Sequence, residues 1–348
     1  MGCVGQDAAF DRARGSLCSA TLSLLECSPV LVVDPRGSSP VASICQALKA
    51  ACSGDTVVLR PGVYHEFLEC TTPGVTITGQ GPDSTSIINT EPRPACVLAG
   101  DNVRLSSVTL QQDSRDFPCL RLDGGALAVS DCCISAANCS AVLIRSGHPT
   151  VRGCAIQGSK QHGVHVRKYG CPLLEGNQIA QNGQFGVLVE PCAEVTLRDN
   201  LIHQNGRNGI YLEPKALAII KANHITSNTD CNIDVGAGAD ATILENKIEQ
   251  AGKCGVCFAE YARGVLQANT VIGSAWSNVV VMRGANVTVR WNSIHGSAQH
   301  GVYVHPGASA TVQDNHIHSN NLNNLKIEER AIMDRSTNDR PIAKQEAQ

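Results

Sequence analysis

Seven asparagines recur at a fixed interval of 23 residues, at Asn177, Asn200, Asn223, Asn246, Asn269, Asn292 and Asn315. Two positions after each stands Ile179, Ile202, Ile225, Ile248, Val271, Ile294 or Ile317. The interval is too long for a coiled coil and too constant for chance. Each period is therefore one structural unit that lacks a core of its own and is stable only when stacked on its neighbours.

Two further columns keep the same interval. One runs through Gly163-Val164-His165-Val166, Gly186-Val187-Leu188-Val189 and Gly209-Ile210-Tyr211-Leu212, and onward to Asn324-Leu325-Lys326-Ile327. The other includes Val195-Thr196-Leu197, Ile219-Ile220 and Val287-Thr288-Val289. Short β-branched segments of alternating polarity, bounded by Gly, Asn and Pro, are strand signals. Three such strands per period and no helical stripe predict an all-β chain, a single-stranded parallel β-helix solenoid with about 23 residues per coil. A leucine-rich repeat shares the period and the asparagine ladder, but its Leu-x-x-Leu-x-Leu frame and its returning helix are missing.

Coils of such a solenoid stack at about 4.8 Å, so equivalent residues lie over one another. An asparagine at a tight bend is expected to hydrogen-bond through its amide to the coils above and below, and to take up the left-handed conformation of the corner. Ordering one coil costs about 35 kcal/mol at about 1.5 kcal/mol per residue, which an isolated coil cannot offset. Both ends of the stack therefore need caps.

With 348 residues, 43% hydrophobic content and a formal net charge of −3, the chain has the material for a long continuous core. The near-neutral balance gives no electrostatic reason to expect nucleic acid. Aromatic residues make up 3%, low for a protein that grips sugar rings or nucleobases by stacking. Several of the 17 cysteines replace Asn, Ala or Val at repeat positions, as Cys132 and Cys154 do in the ladder column and Cys257 does in a strand. Scattered replacement of this kind predicts reduced, core-filling thiols and a cytoplasmic location. The cysteines do not form the two CxxC pairs of a zinc site.

The chain divides into an irregular segment at 1–28, a β-helix at 29–330 and a polar tail at 331–348. Met1-Gly2-Cys3 offers Gly2 and Cys3 as acylation candidates, although Gln6 departs from the usual Ser or Thr. A membrane is expected to matter only through such a modification, because no segment is apolar enough to span one. Residues 29–90 read as an N-terminal cap and first coils: a strand at Val30–Val33, a short helix with Ile44, Ala47, Leu48 and Ala51 on one face, and strands from Thr56–Leu59 onward. Coils at 91–150 are irregular, with anchors read at Val108, Ile134 and Ile156, and strict coils fill 151–330.

The opening, with Ile44-x-x-Ala47-Leu48, Gly54-Asp55-Thr56 and Pro61-Gly62-Val63-Tyr64, resembles the pectate-lyase-like right-handed β-helix superfamily. That resemblance is the source of the expected right-handedness. Gly147-His148-Pro149-Thr150-Val151, His162-Gly163-Val164-His165-Val166-Arg167 and Leu174-Glu175-Gly176-Asn177-Gln178-Ile179 are similar to the β-helix repeats of F-box substrate receptors of ubiquitin ligases. The resemblance covers roughly residues 30–327 and implies a β-helix that recruits proteins for ubiquitination, here without an F-box, since about 28 residues cannot hold its three helices.

Along each Gly-Val-x-Val strand the apolar residues point inward and the intervening ones form an outward ladder. Its members are His165, Arg167, Glu190, Tyr211, Glu213, Asp234, Tyr303, His305, Lys326 and Glu328, a mixed stripe suited to a peptide or a glycan. Glu190 and Glu213 fall on successive coils with Asp234 offset on the next, but they lack a basic partner among them, and the Asp-Asp, Asp-Pro-His and Arg-x-Pro-x-x-Arg motifs of enzymatic β-helices are missing. His295 and His318 stack near His316 and Asp314 with no third ligand set by the repeat, so no metal is expected there. The expectation is a monomeric, non-catalytic scaffold for a protein or peptide partner, needing no cofactor. The alternative is a carbohydrate-active enzyme, whether polysaccharide lyase, hydrolase or uronan epimerase, acting on a glycan laid along the same face.

Overall fold

The computed structural model describes residues 30–37, 39, 41 and 43–328, together with the backbone of 332–336. Its strands assemble into three parallel sheets of 14, 12 and 12 strands, and consecutive strands of the chain pass from one sheet to the next. One regular coil shows the rule: Gln178–Ala180 lies in the second sheet, Val187–Val189 in the third and Glu194–Arg198 in the first. The next coil repeats it in strict register, with Ile179 paired to Ile202, Val187 to Ile210 and Val195 to Ala218.

The core is the interior of this tube. Ile179, Val187, Val189, Val195 and Leu197 are fully buried, and their counterparts in other coils continue one cluster from Val33 to Ile317. Each such side chain contributes about 1.5–3 kcal/mol on removal from water, but only because the coils on either side close over it.

The asparagine ladder runs along one corner. Asn200 Nδ2 donates to Asn223 Oδ1 at 2.9 Å and to the Leu174 carbonyl at 2.9 Å, while the Asn200 amide donates to the same Asn223 Oδ1 at 2.9 Å. Asn177, Asn223, Asn246, Asn269 and Asn292 repeat the pattern toward the following coil. The left-handed conformation falls one residue earlier than the sequence indicated, on Asp199, Ala222, Glu245, Ala268, Trp291 and Asp314. The asparagine must turn its amide inward between coils, so the preceding residue takes the corner, at about 1–2 kcal/mol for a residue other than glycine.

A second ladder, Asn182, Asn205 and Asn228, occupies the corner before the third sheet, with Nδ2 to Oδ1 distances of 3.0 and 2.9 Å. It accounts for the glycines that open the Gly-Val-x-Val strands. A Cβ on Gly186 would stand 2.5 Å from the Gly209 carbonyl oxygen and 2.8 Å from Asn205 Nδ2. Where the ladder ends at Ala251, Asn232 takes the glycine position and its own amide donates to the Ile225 and Glu249 carbonyls.

The helix Ile44–Ala50 caps the N-terminal end. Ser43 accepts from the Gln46 amide, and the Glu66 carboxylate accepts from the Ile44 and Cys45 amides at 3.1 and 3.3 Å. Ile44, Ala47 and Leu48 are buried against the first coils. In the irregular coils one anchor moves: Leu110, not Val108, pairs with Ile134, and Ile134 pairs with Ile156. Val108 stands two residues earlier, in the column of Cys132, where an apolar side chain fills the place that asparagine takes in the regular coils. The first sheet adds a strand at Ile332–Ser336, beyond residue 330. The N-terminal segment with Gly2 and Cys3 and the end of the tail lie outside the described residues. Among the described residues the cysteines are free thiols, and no helix is long and apolar enough to cross a membrane.

Candidate functional site

The third sheet, from Leu68–Cys70 to Leu325–Ile327, carries the outward stripe. Its middle column follows the pairing His165, Leu188, Tyr211, Asp234, Cys257, Val280 and Tyr303. Inward neighbours such as Val164, Val166, Ile210 and Leu212 are fully buried, so the alternating period of the strand sets which residues face out. Residues just after the strands form a flanking column through Arg167, Glu190 and Glu213.

The structure gathers the first part of the stripe into one network. Glu190 lies 2.9 Å from His165 Nε2 and 3.2 Å from Arg167 Nε, and accepts from the Lys168 amide at 3.2 Å. Burial works against its charge, but these donors together hold the Glu190 carboxyl below the usual carboxylate range. The same burial, only partly opposed by Glu190, keeps the His165 ring below its ordinary value. The basic partner of Glu190 is thus Arg167 of the preceding coil.

One and two coils further on, a recess of about 330 Å³ opens among Phe185, Arg207, Asn208, Tyr211, Asp230, Cys231, Asp234 and Lys253. Phe185 stacks on His162 at 5.2 Å and leans on Tyr211 at 5.0 Å, with the Arg207 guanidinium 5.1 Å from its ring centre. Asp230 pairs with Lys253 at 2.8 Å and with Arg207 at 3.8 Å, a ladder of alternating charge across three coils. Asn208 Nδ2 donates to Asp234 at 3.1 Å. Burial, with added repulsion from Asp230, pushes the Asp234 carboxyl up to about 6 against the Asn208 hydrogen bond and the Lys253 charge. Burial also raises the neighbouring Tyr211, helped by Asp234 and Glu213, and raises Glu213, helped by Glu190. Beside them, burial and the nearby His165 and Arg207 press His162 down to about 4, and its buried Nδ1 has no hydrogen-bond partner.

Two carboxyl groups shifted upward and one shifted downward thus stand on one face, next to an aromatic platform and two cations. Such a set can give and take protons near neutrality and can hold a polar ligand by stacking and hydrogen bonds. Tyr303 and His305 belong elsewhere: they lie three coils past Asp234, about 14 Å along the axis at the usual strand spacing, ring to ring at 4.2 Å. On the second sheet the His295 and His318 rings stack at 4.7 Å and His316 lies 4.2 Å from His318. Among the described residues no group of three or more His, Cys, Asp or Glu side chains is placed to hold a metal ion.

Phe185, Arg207, Asn208, Asp230 and Lys253 are absent from the stripe read off the sequence. They sit in the turn before each strand, where the alternating rule has no hold. Their signal was nonetheless present, since Arg207, Asp230 and Lys253 are spaced by 23 residues and alternate in sign.

The model for the right-handed beta helix region matches residues 118–256 and 185–338, together more than half of the chain. The chain belongs to the right-handed β-helix family. Among solved structures it is similar to the A-module of the mannuronan C-5 epimerase AlgE4 of Azotobacter vinelandii, with a TM-score of 0.68, 16% identity, and 84% of this chain and 93% of that one covered. It is similar to the catalytic domain of a GH87 alpha-1,3-glucanase in complex with nigerose, with a TM-score of 0.62, 9% identity and coverage of 92% and 70%. A periplasmic alginate epimerase, AlgG, in a double-mutant form, gives a TM-score of 0.63, 11% identity and coverage of 82% and 77%. A sequence search of the curated proteins returns no match.

These likenesses correct one expectation. The structural relatives of this β-helix are carbohydrate-active proteins, so the kinship with F-box receptors and the non-catalytic, protein-recruiting scaffold are withdrawn. The Gly-Val-x-Val and Gly-Asn-x-Ile repeats behind that resemblance serve the coil itself, glycine beneath a ladder asparagine and aliphatic residues in the core, and so speak to fold and not to function.

Proposed function

We propose that this β-helix is a carbohydrate-active enzyme whose glycan substrate lies along the third sheet and crosses the Phe185–Tyr211–Asp234 recess. The observation that carries the reading is an acid set beside a stacking surface: a carboxyl group raised to about 6 in a recess walled by Phe185 and Tyr211. Sugar rings offer apolar faces to aromatic side chains and hydroxyls to groups such as Asn208, Asp230, Arg207 and Lys253. Asp234 exchanges its proton near neutrality and is the acid or base. Glu190, kept ionised by Arg167 and the Lys168 amide, supplies fixed negative charge one coil before Tyr211. Separated roles of this kind serve both glycosidic cleavage and proton abstraction from a sugar carbon. The mannuronan epimerase and the nigerose-bound glucanase lend support as glycan-active proteins on the same fold, although a fold alone does not set chemistry.

Affinity electrophoresis through gels cast with uronans or neutral glucans tests the reading. Product analysis follows: double-bond absorbance for elimination, reducing ends for hydrolysis, and sugar composition by NMR for epimerisation. At least one polysaccharide is expected to retard the protein and be converted, and Asp234→Asn to lower conversion at least about a hundredfold while keeping the retardation, as loss of a general acid or base does. No retardation and no product across the panel would overturn it.

A further inference from the structure

A second recess of the same size adjoins the polar one. Each has a volume of about 330 Å³, and Cys231 stands in both walls. The second is lined chiefly by Cys254, Cys257, Trp276, Val280, Met282 and Tyr303. Cys231, Cys254 and Val280 form a buried apolar cluster of their own, packed by Cys257 and Met282 and separate from the core inside the tube.

The change of character is written along the columns. In the middle column His165, Leu188, Tyr211 and Asp234, polar but for Leu188, give way to Cys257 and Val280. In the flanking column Arg167, Glu190 and Glu213 give way to Ala259 and Met282. These positions point away from the core, so the packing of the coils does not call for apolar residues there. Trp276 stands at the rim, half exposed, with the Lys253 ammonium 5.8 Å from its ring centre. The same ammonium pairs with Asp230 in the first recess at 2.8 Å, so one side chain joins the two. Small-molecule sites run from about 300 to 1,000 Å³, and each recess alone is at the lower end of that range, the size of a ligand fragment.

We infer that the ligand is an amphiphilic glycoconjugate, with a sugar in the Phe185–Tyr211–Asp234 recess and an apolar aglycone in the Cys257–Trp276–Val280–Met282 recess. The inference rests on the glycan reading of the first recess. The shared Cys231 wall and the Lys253 ammonium between Asp230 and Trp276 place the recesses side by side and set the order of the parts along the axis, sugar toward the N-terminal coils and aglycone toward the C-terminal ones.

The chain has two tryptophans, so Trp291→Phe leaves Trp276 as the single fluorescent reporter at the rim. Matched methyl and n-octyl glycosides of glucose, galactose, mannose and glucuronic acid, the octyl compounds below their micelle concentration, are titrated into this protein. For at least one sugar the octyl glycoside is expected to bind ten times more tightly or better, the gain from burying about two methylene groups, with a blue shift of Trp276 emission. Val280→Asp is expected to bring the octyl-to-methyl ratio within about twofold. Met282→Gln, a milder change, should lower the ratio and guards against misfolding of the first variant, with far-UV circular dichroism as the check on both. Equal binding of methyl and octyl glycosides, or a preference that survives both variants, overturns the inference while leaving the glycan reading in place. Octyl compounds that bind regardless of the sugar, or a panel that does not bind at all, overturn both.

Discussion

Asp234 places a price on the fold that can be measured directly. Its carboxyl is raised from 3.8 to about 6, chiefly by burial. In the unfolded chain the group ionises near 3.8, so between that value and about 6 the folded protein holds the extra proton and stability falls as the pH rises. At about 1.36 kcal/mol per pH unit, ionised Asp234 destabilises the fold by about 3 kcal/mol once the pH is well above 6. Asp234→Asn keeps an oxygen to accept from Asn208 Nδ2 and carries no charge to bury. The variant is expected to match the parent near pH 4 and to exceed it by about 2–3 kcal/mol at pH 8, while losing activity. Urea unfolding at intervals between pH 4 and 8, read as the difference between the two proteins, cancels the titration of the other carboxylates. A difference that stays flat to within about 0.5 kcal/mol, or that favours the parent increasingly with pH, would show that Asp234 is not the strained acid described here.

Two further outcomes test the framework around the site. Asn223→Ala removes the acceptor of the Asn200 amide and the donor to the Leu197 carbonyl, at about 2–5 kcal/mol for two buried groups left unpaired; urea melts and hydrogen exchange at the Asn200 amide check this, and unchanged exchange there would count against the ladder. His162 is held at about 4, against an ordinary 6.5, so the unfolded chain takes up its proton first and stability declines as the pH falls from 6.5 toward 4; an NMR titration of the ring should show a midpoint near 4, and one near 6.5 would refute its burial as drawn.

Much of the fold was legible because a solenoid repeats its local pattern in register. The spacing of Asn177 to Asn315 placed the ladder, and the alternation in Val164-His165-Val166 placed the core and the outward stripe. The corners were less legible. A ladder asparagine and its predecessor are both compatible with a left-handed bend, and only the inward bonds of Asn200 show that Asp199 takes it. The second ladder at Asn182, Asn205 and Asn228 keeps the same 23-residue interval but is hard to see in the sequence, because no aliphatic residue anchors it two positions later. Half of the candidate site lay in plain view as His165, Arg167, Glu190, Tyr211, Glu213 and Asp234. The other half, Phe185, Arg207, Asn208, Asp230 and Lys253, sits in turns, where side-chain direction does not follow from sequence spacing.

The amino-acid sequence alone determined the coil, its period, its inward residues and the existence of one outward face, since each of these is a local pattern repeated in step. Tertiary structure decided which outward residues share a recess, which cation answers which carboxylate, and that the Asp234 carboxyl is shifted up while that of Glu190 is shifted down. Desolvation and charge coupling depend on distances across coils, and residues 23 positions apart or more come within reach of one another only when the stack has formed.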